Sequence, residues 1–377
     1  MKEKVGIGVI GTGFARRVQI PAFLACENCT IVSVASGSLE NARATADGFG
    51  IEHYTDYWRE TVRHEGVDLV CITTPPNLHR EMVLFAIDHG KHILCEKPMA
   101  MNVAEVREMT VAARTVPVLA LIDHELRFQH GRQSAHALLR LGEIGSIRHA
   151  KYMFQAPHRG DPNLAWNWWS DIEQGGGALG AINSHVIDSF NWFLGTEISS
   201  VCCQLQTNVK ERRDTAGEMR PVTTDDQANM LLRFADGGLT KDATGIVSVS
   251  MTEGPRFSSL IEFYGTEGSM RIDHLGEVYV AKAGDADWRE IEVDLGRREA
   301  RLTGQPVPLA TREFDLLQYL CENQGRALSR RQLLDGVWGL DWIGDDRTVD
   351  VHVRQLRKKF GDALPLDTVW GVGYRMG

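Results

Sequence analysis

Apolar positions along the chain follow three successive rhythms. Over about the first 125 residues, short β-branched runs alternate with stretches whose apolar residues recur at spacings of three and four, the pattern of a parallel sheet with crossover helices. Strands are predicted at Val5–Ile10, Thr30–Ala35, Asp68–Thr73, His92–Glu96 and Val116–Ile122, and helices at Leu39–Phe49, Leu78–His89 and Val103–Arg114. From about Ser146 to Asp273 the strands lengthen and alternate. Ala235-Asp236-Gly237-Gly238 marks a hairpin after Met230–Phe234, and a single helix runs from about Gly177 to Leu194. Beyond the polar stretch Ala283–Glu290 come short strands around Glu290–Pro308, three helices and a terminal hairpin. The expected fold class is an α/β Rossmann domain (1–125), then an α+β domain with a mostly antiparallel sheet (126–285), then a C-terminal module (290–377).

A length of 377 residues agrees with this division, because it exceeds what one core usually serves. The net charge of -9 excludes a protein that coats nucleic acid along its whole surface, so any such contact must be local. Seven cysteines are an odd number, scattered, with Cys202 and Cys203 adjacent, which argues for reduced thiols in a cytoplasmic protein and against a disulfide framework or a metal site. No apolar run approaches the roughly 18 residues a membrane span needs, so no membrane partner is expected.

Val5–Ile10 runs into Gly11-Thr12-Gly13 and then a helical stretch from near Phe14. Backbone N–H groups at such a turn favour a pyrophosphate, and missing Cβ atoms let it approach. The third fingerprint position is Arg16 rather than Gly or Ala, so a tight turn in a nucleotide-free sheet stays open. The second strand ends Ala35-Ser36-Gly37-Ser38, with no carboxylate for a ribose 2′-hydroxyl. Ser36, Ser38 and Arg43 would accept a 2′-phosphate, favouring NADP over NAD, unless Arg43 simply faces solvent.

The segments Thr73-Thr74-Pro75-Pro76-Asn77-Leu78-His79, Cys95-Glu96-Lys97-Pro98, Gly175-Gly176-Gly177-Ala178-Leu179, His185-Val186-Ile187-Asp188 and Phe263-Tyr264-Gly265-Thr266-Glu267-Gly268 occur in an order that resembles the Gfo/Idh/MocA oxidoreductases. The resemblance covers roughly residues 1–275. It implies that Gly11, Thr12, Gly13, Phe14, Thr74, Pro75, Asn77, His79, Glu96 and Lys97 surround the coenzyme, and that Lys97 and His185 are catalytic on a sugar or polyol. A fixed ammonium can steady a reacting oxygen, and an imidazole near neutrality can take its proton. One departure is Ala181, where the family often places an Asp. Arg127, Phe128 and the Trp166, Trp168, Trp169 cluster either line a sugar pocket or pack the interior. Asp188 reads as a structural hydrogen-bonding residue.

In the C-terminal module Thr311 is expected to cap a first helix, Ser329 to begin a second closed by Gly339, and Asp345 or Asp346 to begin a third that ends near Phe360. On that third helix Val349, Val353, Leu356 and Phe360 share one face, while Arg347, Val351, Arg354 and Lys358 share the other. The strings Ser329-Arg330-Arg331-Gln332-Leu333-Leu334, Asp346-Arg347-Thr348-Val349-Asp350-Val351-His352-Val353 and Gly371-Val372-Gly373-Tyr374-Arg375 resemble the OmpR/PhoB winged helix-turn-helix domain over about 290–377. The resemblance implies that double-stranded DNA is met by Arg347, Thr348, Val351, His352, Arg354, Gln355, Arg357 and Lys358 on the helix, and by Tyr374 and Arg375 on the wing. Many relatives carry Arg where this chain has Trp370.

Together these readings describe a DNA-binding regulator that responds to a dinucleotide or a sugar-like ligand, expected to be a homo-oligomer. The alternative is an NAD(P)-dependent dehydrogenase of a sugar or polyol in which DNA binding is incidental. The resemblance also implies that the second domain is truncated relative to the family, because the chain is expected to change module soon after Arg271.

Overall fold

The computed structural model describes residues 4–290, 293–294, 299–302, 305–323, 325–338 and 347–377. Its contacts divide the chain into two compact units. The first is Met1–His124 with His158–His185 and Leu205–Gln227; the second is Glu125–Pro157 with Val186–Gln204 and Ala228–Gly377.

In the first unit six strands form one sheet: β1 (Val5–Ile10), β2 (Cys29–Ala35), β3 (His53–Thr55), β4 (Leu69–Ile72), β5 (His92–Glu96) and β6 (Ala120–Asp123). All pair in parallel, in the order β3-β2-β1-β4-β5-β6. The helices are α1 (Gln19–Leu24), α2 (Leu39–Phe49), α3 (Trp58–Arg63), α4 (His79–Asp88) and α5 (Val103–Arg114). The central strands read as unbroken apolar runs because both faces are covered. One core gathers Ile10, Val70, Ile72, Met82, Ile93 and Met109, and the other Ile7, Val9, Ile20, Ile31 and Val34. Helices α2 and α5 begin where sequence places them because Ser38 and Asn102 accept the N–H groups of Asn41 and Glu105, at 3.2 and 3.0 Å.

The first helix differs from expectation. Residues 13–18 form turns, and α1 starts only at Gln19. Pro21 explains the delay: it has no N–H and clashes with a helical carbonyl four residues earlier, so no regular helix can run through it from Phe14. The strand β3, three residues long, also escapes prediction.

The second unit contains α6 (His130–Arg140), α7 (Ser184–Leu194) from Val186 onward and most of a mixed sheet built from β7 (Ile147–Gln155), β8 (Ile198–Gln206), β11 (Gln227–Phe234), β12 (Thr240–Ser250), β13 (Ser258–Gly265), β14 (Gly268–Ile272), β15 (Val278–Lys282) and β16 (Arg289–Glu290). The short hairpin β9 (Glu211–Arg213) with β10 (Met219–Pro221) lies in the first unit. Neighbours β7–β13, β13–β14, β14–β15 and β15–β16 are antiparallel, while β7 and β12 pair in parallel, a pairing that requires the long crossover between them. The sheet therefore runs past Asp273 to Glu290. Alternation along β11 buries Ala228, Met230, Leu232 and Phe234 and leaves Leu231 and Arg233 outside. Phe190 of α7 is fully buried and meets Tyr152, Phe234 and Phe263 edge-on.

The C-terminal module comprises β17 (Val293–Asp294), β18 (Glu299–Leu302), β19 (Gln305–Val307), α8 (Thr311–Glu322), β20 (Leu328–Ser329), α9 (Arg330–Val337), α10 (Arg347–Phe360), β21 (Leu366–Val369) and β22 (Gly373–Met376). Thr311 is the first helical residue rather than the cap. The position before it is Ala310, whose N–H is taken by the Glu313 carboxylate at 2.7 Å. Ser329 caps α9 as expected, exchanging bonds with Gln332. Gly339, Asp345 and Asp346 lie outside the described residues. The core is Leu316, Leu320, Leu333, Leu334, Val349, Val353 and Leu356, with Tyr374 and Met376 of the hairpin.

Truncating the aromatic that centres the second unit's core, Phe190→Ala, is expected to lower unfolding free energy by about 3–5 kcal/mol. Denaturant unfolding checks this; a loss below about 1 kcal/mol would contradict the packing described.

Candidate functional site

Strand order reverses between β1 and β4, and a parallel sheet offers its crevice at the carboxyl ends beside that reversal. Those ends carry Gly11, Ser36, Thr73, Glu96 and Asp123. Gly11 adopts φ +98°, and a Cβ there would lie 2.6 Å from Thr73 Oγ1, so only glycine lets β1 turn this closely over β4. A Cβ on Gly13 would meet nothing within 4 Å, which leaves open space beside the turn. The hydroxyls of Thr12 and Ser36 are 3.0 Å apart and tie the turn to β2.

A cavity of about 650 Å³ adjoins this turn, lined by Thr12, Gly13, Arg16, Arg17, Asn41, Gly48 and Phe49. Arg43 is not on its wall. It lies on the solvent face of α2, 3.6 Å from Asp47. The lining cations are Arg16 and Arg17, which periodicity could not single out because they sit in the irregular turns ahead of Pro21. Phe14 is half-buried and Asn77 exposed. His79 is buried between the carbonyls of Thr74 and Pro98, 2.8 and 3.0 Å away, and so braces the Thr74-Pro75 loop against Lys97-Pro98. Burial lowers its pKa, against those two carbonyls.

Glu96 is buried at the end of β5. Its Oε1 accepts from Gln19 Nε2 at 2.9 Å, its Oε2 accepts from the Lys97 backbone N–H at 3.2 Å, and the same Gln19 nitrogen lies 2.9 Å from Asp123 Oδ2. Gln19, absent from the sequence reading, thus holds this carboxylate, and Asp123, likewise absent, holds Gln19. The Lys97 ammonium donates to the carbonyl of Ala181 at 3.0 Å. Ala181 belongs to a π turn, Leu179–Asn183, that leads into α7 and His185. The imidazole of His185 is buried, 6.1 Å from that of His124, edge to face.

In the second unit Asp188 accepts two bonds from the Arg127 guanidinium, so the two side chains spend their charges on each other, while Phe128 stays exposed. The tryptophans are half-buried. Trp166 donates to Pro221 O at 3.0 Å, and Trp169 stacks under Arg159, whose pKa burial pushes down to about 10. Cys26 and Cys29 share a C-x-x-C spacing, but all seven cysteines are free thiols, and among the described residues no cluster of three or more His, Cys, Asp or Glu could hold a metal.

On α10 the inward stripe Val349, Val353 and Leu356 is buried, and Arg347, Val351, Arg354 and Lys358 are all exposed, Val351 by 56 %. The flanking residues behave differently. Arg357 donates to Leu366 O at 2.6 Å and to Thr368 Oγ1 at 3.1 Å, tying α10 to the wing. His352 Nδ1 lies 2.8 Å from Thr348 O, and its ring meets Trp338 edge-on. Gln355 is half-buried. Tyr374 is buried, its hydroxyl donating to Asp350 at 2.7 Å, and Arg330 donates to the same carboxylate oxygen. Arg375 pairs with Asp367 on the wing surface at 3.2 Å, and Trp370 at the wing's tip is 92 % exposed.

Comparison with known proteins finds three family matches along the chain. Residues 5–124 match the NAD-binding Rossmann fold of the GFO/IDH/MocA oxidoreductase family, 133–271 match a GFO/IDH/MocA C-terminal domain, and 304–376 match the C-terminal domain of transcriptional regulatory proteins. An oxidoreductase of Synechocystis is 34 % identical over 267 residues, 70 % of each chain. The sensory transduction protein RegX3 of Mycolicibacterium smegmatis is 44 % identical over 90 residues, 23 % of this chain and 40 % of that protein. Among solved structures, levoglucosan dehydrogenase in complex with NADH and levoglucosan superposes with a TM-score of 0.69 at 28 % identity, over 77 % of this chain and 80 % of that one. Among the described residues no helix is long and apolar enough to cross a membrane.

The buried His79 gives a pH dependence of definite sign. Its pKa is lowered from 6.5, so the unfolded chain binds the proton more tightly; stability from this burial is complete above about pH 6.5 and is lost as pH falls below it. Between about pH 7.5 and 5.5 the melting temperature of His79→Asn should fall less than that of the parent chain. Equal slopes would remove His79 from the account.

Proposed function

The chain belongs to the GFO/IDH/MocA oxidoreductase family, and from that premise we propose that it is a DNA-binding regulator whose input is an NAD(P) coenzyme together with a sugar-like or polyol ligand. The observation that carries the proposal is the coexistence, in one polypeptide, of an anchored ammonium at Lys97 and an outward stripe of Arg347, Val351, Arg354 and Lys358 on α10. Open space beside Gly13, the closeness only glycine allows at Gly11, and the Arg-lined cavity fit a dinucleotide. When bound, that coenzyme supplies the acceptor or donor of a hydride.

The chain's own residues supply the rest. Lys97, aimed by its bond to Ala181 O, hydrogen-bonds the reacting oxygen and steadies its charge; His185 takes or returns the hydroxyl proton. Glu96, held by Gln19, sets the direction of the Lys97 backbone. Ala181 offers no carboxylate, so turnover is slow, which suits a sensor better than a metabolic catalyst. The likeness to levoglucosan dehydrogenase supports a sugar-like ligand. Val201, Leu231 and Ile246 are exposed on the sheet strands β8, β11 and β12 and suit a second copy of the chain, which would set two α10 helices on tandem half-sites. In this reading the protein works in the cytoplasm, with its seven cysteines as free thiols.

The second reading, a sugar or polyol dehydrogenase with incidental DNA binding, is favoured by the complete Gln19–Glu96–Lys97 arrangement. Coenzyme reduction over a panel of sugars tests both readings. Lys97→Ala should lower turnover about 100-fold or more while leaving coenzyme affinity within about threefold; undiminished turnover would remove the role given to Lys97. On a duplex selected from random sequence, Arg354→Ala should cost about 1–3 kcal/mol at the selected site alone, and Lys358→Ala should weaken all sequences alike. Equal, small losses in both variants would contradict entry of α10 into the groove.

A further inference from the structure

We infer that Arg16 and Arg17, rather than Arg43, receive the 2′-phosphate of the coenzyme and make this chain selective for NADP over NAD. The inference rests on the coenzyme-binding reading above and names the residues that decide it.

The cavity of about 650 Å³ beside the glycine turn is walled by Thr12, Arg16, Arg17, Asn41 and Phe49 with two glycines, so its lining carries two guanidinium groups and no carboxylate. Among the described residues neither arginine forms a salt bridge, whereas Arg43, one turn into α2, is already beside Asp47 at 3.6 Å. Both guanidinium groups are exposed on the wall of one cavity, and a dianion seated there supplies the counter-charge that the lining lacks. A guanidinium fork matches phosphate oxygens two at a time, so the gain is larger for phosphate than for a neutral hydroxyl.

Geometry then selects which phosphate. The pyrophosphate belongs at the backbone N–H groups of Gly11–Gly13. The cavity extends from there to Asn41, Gly48 and Phe49, that is, along α2, the helix that follows the end of β2. The ribose of a dinucleotide sits at that strand end. The paired hydroxyls of Thr12 and Ser36 lie at the junction, 3.0 Å apart, and β2 ends without the Asp or Glu that would hold a 2′-hydroxyl and repel a 2′-phosphate. Phe49 gives the same cavity one apolar wall. The coenzyme that this lining complements is the one carrying the additional phosphate.

Calorimetric titration of the whole chain with NADP, NAD, 2′,5′-ADP and 5′-ADP tests the assignment. The parent protein should bind NADP at least about tenfold more tightly than NAD, and 2′,5′-ADP more tightly than 5′-ADP by a similar factor. In the double variant Arg16→Gln, Arg17→Gln both margins should shrink to within about twofold because NADP affinity falls far more than NAD affinity, and Arg43→Gln should keep both margins. Both arginines are exposed, and unchanged circular dichroism of the variants checks that they fold. A margin that survives the double variant, a margin erased by Arg43→Gln, or a parent protein that prefers NAD overturns the assignment. Failure of folded parent protein to bind either coenzyme overturns the coenzyme reading itself, and this inference with it.

Discussion

The candidate oxidoreductase site depends on a steric constraint at Gly175, Gly176 and Gly177, where backbone passes so close to its surroundings that no side chain fits. A Cβ on Gly175 would lie 2.7 Å from Pro76, one on Gly176 would lie 2.3 Å from the Trp169 carbonyl, and one on Gly177 would lie 2.6 Å from the Asp225 carboxylate. Gly175 and Gly177 also adopt φ of +81° and +102°, where other residues are strained. Seated in this way, the loop carries the π turn that follows it to the Lys97 ammonium, and the Ala181 carbonyl becomes that cation's anchor. Sequence, local backbone and chemistry meet here: without three small residues the turn would lift, and the lysine would lose the direction that gives it a function.

The C-terminal module has a comparable centre in Asp350. One carboxylate oxygen accepts from Arg330 of α9 and from Tyr374 of β22, each at 2.7 Å, so a single residue of α10 is held by both the preceding helix and the wing. Lys359 closes the other end by pairing with Glu313 of α8 at 2.5 Å. These internal ties divide the basic residues of α10. Arg357 and Lys359 fix the helix to its own domain, and Arg347, Arg354 and Lys358 face outward around Val351. A helix pinned on three sides presents its outer stripe with little orientational freedom, which is what reading base edges requires.

Much of this was legible in sequence where local signals act alone. β1, β5, α2 and α5 have the expected ends, because β-branched runs and Ser38 and Asn102 caps define them within a few residues. The burial of Val349, Val353 and Leu356 followed from helical spacing. What sequence left hidden depends on tertiary placement. Gln19 meets Asp123 across 104 positions, and no local pattern encodes that contact. Arg16 and Arg17 face the cavity because Pro21 delays α1, and Arg43, better placed on paper, turns to Asp47. Tyr374 and Arg357, grouped by motif with the DNA-facing residues, spend their polar atoms on Asp350 and on Leu366 and Thr368.

The proposed regulator requires that coenzyme occupancy in the Rossmann domain and duplex binding by α10 be coupled within one chain. The most direct measurement is fluorescence anisotropy of a selected duplex titrated with full-length protein, at zero and at saturating NADP. Coupling predicts a shift in duplex affinity of about fivefold or more, matched by an equal shift in coenzyme affinity when the duplex is saturating. Superimposable isotherms, obtained with protein that binds both ligands, would contradict it.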